Sequence, residues 1–309
     1  MAADDPLSLL QERKVSRRDF LKYCSTMAAL LGLSPSLAPK IARALETKKK
    51  PVLVWIEGQS CTGDTEALMR ATKPAVQELI LDVLSLDYSE AIMAAAGKEA
   101  EKSLADVLRR GKGSYFAAVE GSIPLNENGT YCCIGGRSFV DIVREVCGGA
   151  VATFAMGTCA AYGGIPKANP NPTGAVGVHA AVPSATVLNL PGCPVNAENI
   201  TAAIVHYLTF GALPPVDALG RPLFAYGKLI HDNCERRAHF EAGRYARQWG
   251  DEGHRLGWCL YYMGCKGPLA YSNCPVVKFN ERTSWPVQSG HGCVACGAPD
   301  FWDEMTPFY

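Results

Sequence analysis

Five short runs of apolar, mostly branched or aromatic residues punctuate the chain at 52–56, 82–86, 115–119, 151–156 and 185–190. Between them, apolar positions recur with helical spacing at 65–81, 99–110, 137–147 and 196–208. A strand that is apolar on both faces has no side left for solvent. Near-continuous runs alternating with helices therefore predict a parallel sheet covered on both faces. The fold class is α/β: a flavodoxin-like, doubly wound parallel-sheet domain over residues 51–212. Beyond residue 212 the pattern breaks. Residues 213–309 are rich in glycine, proline and aromatic side chains, with one helical stretch at about 235–249 and no other clear period. So little regular structure rarely offsets its own ordering entropy by apolar burial, and this predicts an irregular domain stabilised by something it binds.

The first fifty residues read differently. Ser16-Arg17-Arg18-Asp19-Phe20-Leu21-Lys22 precedes a mildly apolar run at 27–37, and Ala42-Arg43-Ala44 then offers a small-x-small cleavage site. That order resembles a twin-arginine export signal, so residues 1–50 are read as signal peptide and linker, and the mature chain as periplasmic or exported. The apolar run is interrupted by Ser34 and Pro35, and no later run approaches the roughly 20 residues that cross a bilayer. Any membrane association must come through a partner. Lysine plus arginine equals aspartate plus glutamate at 30 each, so no global basic field attracts nucleic acid. Proteins are the expected partners.

Candidate metal ligands fall in two groups. Residues 61–193 supply Cys61-Thr62-Gly63-Asp64, Cys159 and Cys193, and residues 231–296 supply His231-x-x-Cys234, Cys259, Cys265, Cys274 and Cys293-x-x-Cys296. Soft thiolates in this number suit iron–sulfur clusters better than any single metal. Their ligation would also supply the folding free energy that residues 213–309 lack. Cys61 follows the first apolar run, Glu120 ends the third, Cys159 follows the fourth and Cys193 the fifth. In an open parallel sheet the carboxyl ends of the strands lie along one edge, where ligands bind, so three cysteines distant in sequence can converge there with Asp64. An exported cysteine-rich chain would ordinarily be read as a disulfide scaffold. The twin-arginine route carries folded proteins, and clusters inserted beforehand could survive it.

Together these motifs resemble the small subunit of [NiFe] hydrogenases, from Val52 to near the C-terminus. The residues that carry the resemblance are Cys61-Thr62-Gly63, Glu120-Gly121, Gly157-Thr158-Cys159-Ala160-Ala161-Tyr162-Gly163-Gly164, Pro191-Gly192-Cys193-Pro194, His231-x-x-Cys234, Gly264-Cys265-Lys266-Gly267-Pro268 and Gly290-His291-Gly292-Cys293-x-x-Cys296. The resemblance implies two [4Fe-4S] clusters and one [3Fe-4S] cluster. Cys61, Asp64, Cys159 and Cys193 match the proximal [4Fe-4S] set, and His231, Cys234, Cys259 and Cys265 the distal one. Cys274, Cys293 and Cys296 match the medial [3Fe-4S] set, with Pro286 where a fourth ligand would come. A large subunit, in a heterodimer or a dimer of heterodimers, would hold the Ni-Fe centre and split hydrogen. This chain would carry no catalytic residue and would pass electrons to a cytochrome-type, quinone-linked or membrane acceptor.

Asp64 departs from the usual Cys-x-x-Cys and resembles the aspartate-ligated proximal cluster of the actinobacterial-type, oxygen-tolerant branch. A carboxylate is a harder ligand than a thiolate, while aspartate at a strand-to-helix turn is also a common helix N-cap; the ligand reading is favoured. An exported zinc or disulfide protein without redox function is the alternative, which the open three-thiolate group fits poorly. A quinone-coupled module carrying only a proximal-type cluster would leave the seven ligands of 231–296 unexplained. Cys132, Cys133 and Cys147 are expected in the core. His179, His206, His239 and His254 are isolated and are read as structural.

Overall fold

The computed structural model describes residues 17–47, 50–71, 84–280 and 282–306. Five parallel strands, β1 (Val52–Glu57), β2 (Ser85–Ser89), β3 (Tyr115–Glu120), β4 (Ala152–Met156) and β5 (Val187–Leu190), form one sheet in the order β2-β1-β3-β4-β5. That is the flavodoxin-like order, whose topological switch lies between β1 and β3. The longer helices are α1 (Arg17–Leu30), α2 (Ala38–Thr47), α3 (Gly63–Met69), α4 (Lys98–Gly111), α5 (Phe139–Gly149), α6 (Gly157–Tyr162) and α7 (Ala197–Phe210).

Successive residues of a strand point to opposite faces, and both faces of this sheet are buried. Val54, Ile56, Ala117, Val119 and Ala155 pack with α4, α5 and α6. Leu53, Trp55, Phe116, Ala118, Phe154, Met156, Leu188 and Leu190 pack with α7 on the other side. The five predicted strands and the helices at 99–110 and 196–208 are present within a few residues. Residues 82 and 83 lie outside the described residues, as does the predicted helix from 72 to 81. The helix predicted from 137 begins instead at Phe139, because Arg137–Ser138 pairs with Cys133–Ile134 across Gly135-Gly136. Both of those glycines have positive φ, as a tight two-residue hairpin turn requires.

Helix α7 is apolar on two sides. Ile200, Ala203, Ile204 and Leu208 face the sheet, whereas Ala202 and Val205 pack against Cys24, Met27, Ala28, Leu31, Ile41 and Ala42 of α1 and α2. The predicted signal segment is thus a helical hairpin lying on the folded body, with Arg18 exposed and both Ala42 and Ala44 buried. No helix among the described residues is long and apolar enough to cross a membrane.

From residue 213 onward, among the described residues, the chain makes only isolated β-bridges and helical turns of three to five residues. The predicted helix at 235–249 is a correction: only Arg237–Glu241 is helical. Gly243 turns the chain at φ +68°, and 244–246 run extended so that the Ala246 N–H donates to the Cys259 carbonyl (3.0 Å) and the Cys259 N–H to the Arg244 carbonyl (3.2 Å). A continuing helix would have carried these residues away from the loop that presents Cys259. The small core here, Ile230, Leu260, Met263, Trp285, Val287, Phe301 and Trp302, is interleaved with Cys234, Cys265, Cys274, Cys293 and Cys296.

Candidate metal centres

The last residues of four strands stand in register. Glu57 lies opposite Glu120, Glu120 opposite Met156, and Met156 opposite Leu190. Just beyond this row the chain brings together Cys61, Asp64, Cys159 and Cys193. Burial pushes the Cys159 thiol up to about 12, with Cys193, Asp64 and Cys61 adding to the shift. Cys193 is pushed up to about 11 by burial, Cys296, Asp64 and Cys61. Acidic groups crowded together in this way resist ionising, as Cys159 and Cys193 do here, unless cationic metal is there to hold them, and this fits a cluster cage.

Two glycines show how tightly the cage is drawn. Gly157, at φ +73°, would place a Cβ 2.1 Å from Asp64 Oδ2, and Gly164, at φ +60°, would place one 2.4 Å from Cys159 Sγ. The glycines flanking Thr158-Cys159-Ala160-Ala161-Tyr162 are therefore there for space as well as for backbone conformation.

Asp64 does not cap α3. The cap position is Thr62, in the left-handed region and making no side-chain cap bond. The first amides of the helix are satisfied from β3, where Glu120 accepts the Asp64 N–H through Oε1 and the Thr65 N–H through Oε2, both at 3.0 Å. Glu120 also accepts from Trp55 Nε1 (3.2 Å), Ser60 Oγ (2.9 Å) and Thr65 Oγ1 (2.6 Å), and it is fully buried. It is the clamp that fixes the Cys61 loop, rather than a solvated strand-end carboxylate. Asp64 Oδ1 accepts the Val195 N–H at 2.7 Å, and no donor among the described residues reaches Oδ2. Burial first, then the charge of Glu120, pushes this carboxyl up to about 7. A buried carboxylate with one oxygen lacking a donor fits a metal ligand.

The second ligand group forms two further cages. His231, Cys234, Cys259 and Cys265 line one small cavity with Leu260 and Trp285. Cys274, Cys293 and Cys296 open into a groove of about 750 Å³, on whose wall Pro286 and Cys193 also lie. The three cages are joined in sequence. Cys193 and Cys296 line the same groove, so the sheet-edge set adjoins the middle one. The Cys293 N–H donates to Cys265 Sγ at 3.2 Å, linking the middle cage to the outer one. Thr158 reinforces the first junction, donating to the Cys296 carbonyl while accepting the Gly192 N–H.

Among the described residues no three His, Cys, Asp or Glu side chains close tightly enough to hold a single metal ion. His231, Cys234, Cys259 and Cys265 instead stand around one cavity, and Cys274, Cys293 and Cys296 along one groove.

Sequence reasoning missed the supports of this edge. Trp55, Ser60 and Thr65 escaped notice because nothing local marks them as partners of a carboxylate 55 to 65 residues away. Glu57 and Glu90 were missed too. Glu90 accepts the Glu57 N–H, and burial pushes its carboxyl up to about 8. Glu57, the strand-end neighbour of Glu120, is raised by burial and by that charge. Of the spare cysteines, Cys147 is buried as expected and Cys132 half-buried, but Cys133 is exposed.

Two family profiles divide the chain. Residues 226–309 match the C-terminal region of the NiFe/NiFeSe hydrogenase small subunit, and residues 61–207 match the 20 Kd subunit of NADH ubiquinone oxidoreductase. The periplasmic [NiFe] hydrogenase small subunit of Solidesulfovibrio fructosivorans is 48% identical over 309 residues, covering 100% of this chain and 97% of that one. The chain belongs to the small-subunit family of [NiFe] hydrogenases. The uptake hydrogenase small subunit of Azotobacter vinelandii is 47% identical over 97% of this chain and 84% of its own. Among solved structures, the Ni-Fe-Se hydrogenase of Desulfomicrobium baculatum aligns with a TM-score of 0.80 at 32% identity, covering 84% of this chain and 99% of that one. The actinobacterial-type NiFe-hydrogenase of Ralstonia eutropha H16 aligns with a TM-score of 0.76 at 25% identity, covering 85% and 82%. The sheet domain is thus a module shared with a quinone-linked oxidoreductase, and residues 226–309 mark the hydrogenase small subunit. As such, this chain is the electron-transfer half of a heterodimeric hydrogenase whose large subunit holds the Ni-Fe centre. The zinc or disulfide alternative finds no support.

Proposed function

We propose that the chain comprises an export segment (1–50), a proximal-cluster domain (51–212) and a domain holding the other two clusters (213–309). Cys61, Asp64, Cys159 and Cys193 ligate a proximal [4Fe-4S] cluster. Cys274, Cys293 and Cys296 ligate a medial [3Fe-4S] cluster, and His231, Cys234, Cys259 and Cys265 a distal [4Fe-4S] cluster. The observation that best supports this reading is the pair of junctions between neighbouring ligand sets: Thr158 accepts the Gly192 N–H and donates to the Cys296 carbonyl, and the Cys293 N–H donates to Cys265 Sγ.

When bound, the clusters supply one-electron carriers between the large subunit's Ni-Fe site and a cytochrome-type or quinone-linked acceptor. The chain's own residues position and insulate them. Glu120 holds the Cys61 loop and the start of α3 through its five hydrogen bonds. Backbone amides of Arg236, Cys293 and Ala295 donate to the sulfurs of Cys234, Cys265 and Cys293, and such bonds to ligand thiolates raise a cluster's reduction potential. Leu260, Trp285 and Val287 keep water from the distal cage. His231 replaces a thiolate by a neutral imidazole, removing one negative charge there. Pro286 lies on the wall of the medial groove and offers no ligand. In this reading no residue of this chain cleaves the H–H bond of the substrate.

Export follows from the Arg17-Arg18 segment and agrees with the periplasmic relative. Because Ala42 and Ala44 are buried, α2 must leave α7 before a peptidase can cut there.

Iron and acid-labile sulfide should reach about eleven irons per chain (two cubanes and one three-iron centre). Stoichiometric zinc in a colourless protein would end the reading. For Asp64 the test is Asp64→Cys in the heterodimer, which should retain hydrogen-dependent dye reduction while changing the proximal paramagnetic signal. An unaltered signal would remove Asp64 from the ligand set.

A further inference from the structure

We propose that Thr158 is the positioning residue for the first internal step of the electron relay, its hydroxyl fixing the gap between the proximal and medial centres and bridging it. The inference rests on the assignment of Cys159 and Cys193 to the proximal centre and of Cys274, Cys293 and Cys296 to the medial one.

Ligand-bearing segments from both centres meet at this one oxygen. Thr158 directly precedes Cys159 in α6 and is buried, at 1% exposure. Its Oγ1 accepts the N–H of Gly192, the residue before Cys193, at 3.0 Å, and donates its own proton to the Cys296 carbonyl. The Thr158 N–H donates in turn to the Gly192 carbonyl at 2.8 Å, so Gly192 is held at both its amide and its carbonyl. The same turn is braced again by buried Tyr226, whose hydroxyl donates to the Pro191 carbonyl at 2.7 Å. From the medial side, a Cβ placed on Gly297 would lie 3.6 Å from that Pro191 oxygen. The chain leaving Cys296 therefore packs directly on the turn that carries Cys193.

A threonine within a helix ordinarily bonds a carbonyl three or four residues back, or caps the helix start. The partners of Thr158 lie 34 and 138 residues away. Its purpose is long-range. With its proton given to one segment and its oxygen accepting from the other, the hydroxyl has a single rotor position. Moving either segment would leave a buried amide or carbonyl unpaired, which is costly where water is excluded. The gap is thereby made rigid. An electron crosses between two centres at a rate that falls steeply with their separation and is helped by a continuous bonded path. Such a path runs from Cys193 through the Gly192 amide and Thr158 Oγ1 to the carbonyl of Cys296. In this step the proximal centre gives up one electron and the medial centre gains it, while the hydroxyl keeps its proton.

The test compares intact, iron-loaded heterodimers carrying Thr158→Val, which keeps the branched shape without the hydroxyl, and Thr158→Ser, which keeps the hydroxyl. Paramagnetic resonance of the hydrogen-reduced enzyme reads the magnetic interaction between the proximal and medial centres. Freeze-quenched samples read the rate at which hydrogen reduces the medial centre. Thr158→Val should hold its iron, change the interaction and lose severalfold in that rate, with the distal signal unaltered. Thr158→Ser should match the wild type in both. Thr201→Val, which removes a buried hydroxyl bonded to Ala197 within α7, should leave both readings unchanged. An unchanged interaction or an unchanged rate in Thr158→Val overturns the proposal, and so does a serine variant as altered as the valine one. Should the valine variant fail to assemble, Thr158→Ala repeats the test with less crowding. If neither holds its iron while Thr158→Ser does, the hydroxyl serves assembly rather than the relay, and the proposal falls. A wild type without three iron centres strikes instead at the cluster assignment, and the proposal falls with it.

Discussion

The sheet domain and the region after residue 212 are held together by different means. In the first, alternate residues of five strands feed two apolar layers, and the ligand-bearing loops are appended to a scaffold that stands without them. In the second, the few core residues are interleaved with cysteines, and the longest helical turns have five residues. On the proposed assignment, one region places ligands and the other is placed by them. The two family profiles divide the chain in the same way: residues 61–207 match a subunit of another kind of oxidoreductase, whereas residues 226–309 are the mark of hydrogenase small subunits.

The strongest way to break this contrast is to remove the iron. Anaerobic chelation of the isolated heterodimer should raise amide exchange throughout 226–305, while β3 and β4 remain protected, as measured by hydrogen exchange with mass spectrometry. Uniform loss across both regions would show that the sheet also depends on its cluster. Retained protection after residue 226 would show that ligation contributes little to folding there.

Next in size is Glu120→Ala, which strands five donors at the sheet edge. Leaving such a network without its acceptor costs on the order of 3–5 kcal/mol, or about 10 °C in thermal midpoint for a domain of this size. Calorimetry should find the loss in the sheet domain, together with a perturbed proximal signal. A variant of wild-type stability would mean that water replaces the carboxylate and that the clamp is dispensable.

Gly157→Ala sharpens the contrast at a single atom. The new methyl would lie 2.1 Å from Asp64 Oδ2 at a backbone φ of +73°, so Asp64 must move. The strain is of order 1–3 kcal/mol. Paramagnetic resonance should show a changed proximal centre beside unchanged medial and distal ones. Equal disturbance of all three would mean that the cages are mechanically one unit.

The same difference explains how much could be read in advance. Strand ends were legible because a parallel sheet doubly covered by helices leaves a strong apolar pattern, and the convergence of Cys61, Cys159 and Cys193 followed from topology alone. The helix at 235–249 was misread because Gly243 and the amide bonds to Cys259, invisible to periodicity, break it after Glu241. A cap reading stood beside the favoured ligand reading of Asp64 because the group that satisfies the first amides of α3 is Glu120, more than fifty residues away. The hairpin of α1 and α2 was read as leader only, although α7 carries the apolar side, Ala202 and Val205, on which it packs.

The mildest test stays within the sheet domain and asks whether its edge carries a pH response of its own. Glu90 accepts the Glu57 N–H from a largely buried position, and burial, the charge of Glu57 and that of Glu101 raise it from 4.5 to about 8, against hydrogen bonds from Glu57 and Tyr88. Between those values the folded chain keeps a proton that the unfolded chain releases. Stability is therefore fully present below about 4.5 and is lost as pH rises toward about 8, at up to about 1.4 kcal/mol per pH unit. Glu90→Gln keeps an acceptor for the Glu57 amide and has no proton to lose. The thermal midpoint of the wild type should accordingly fall more steeply from pH 5 to 8 than that of the variant. Parallel slopes would show that Glu90 is ionised in the folded protein, with the Glu57 amide, rather than a proton, supporting its charge.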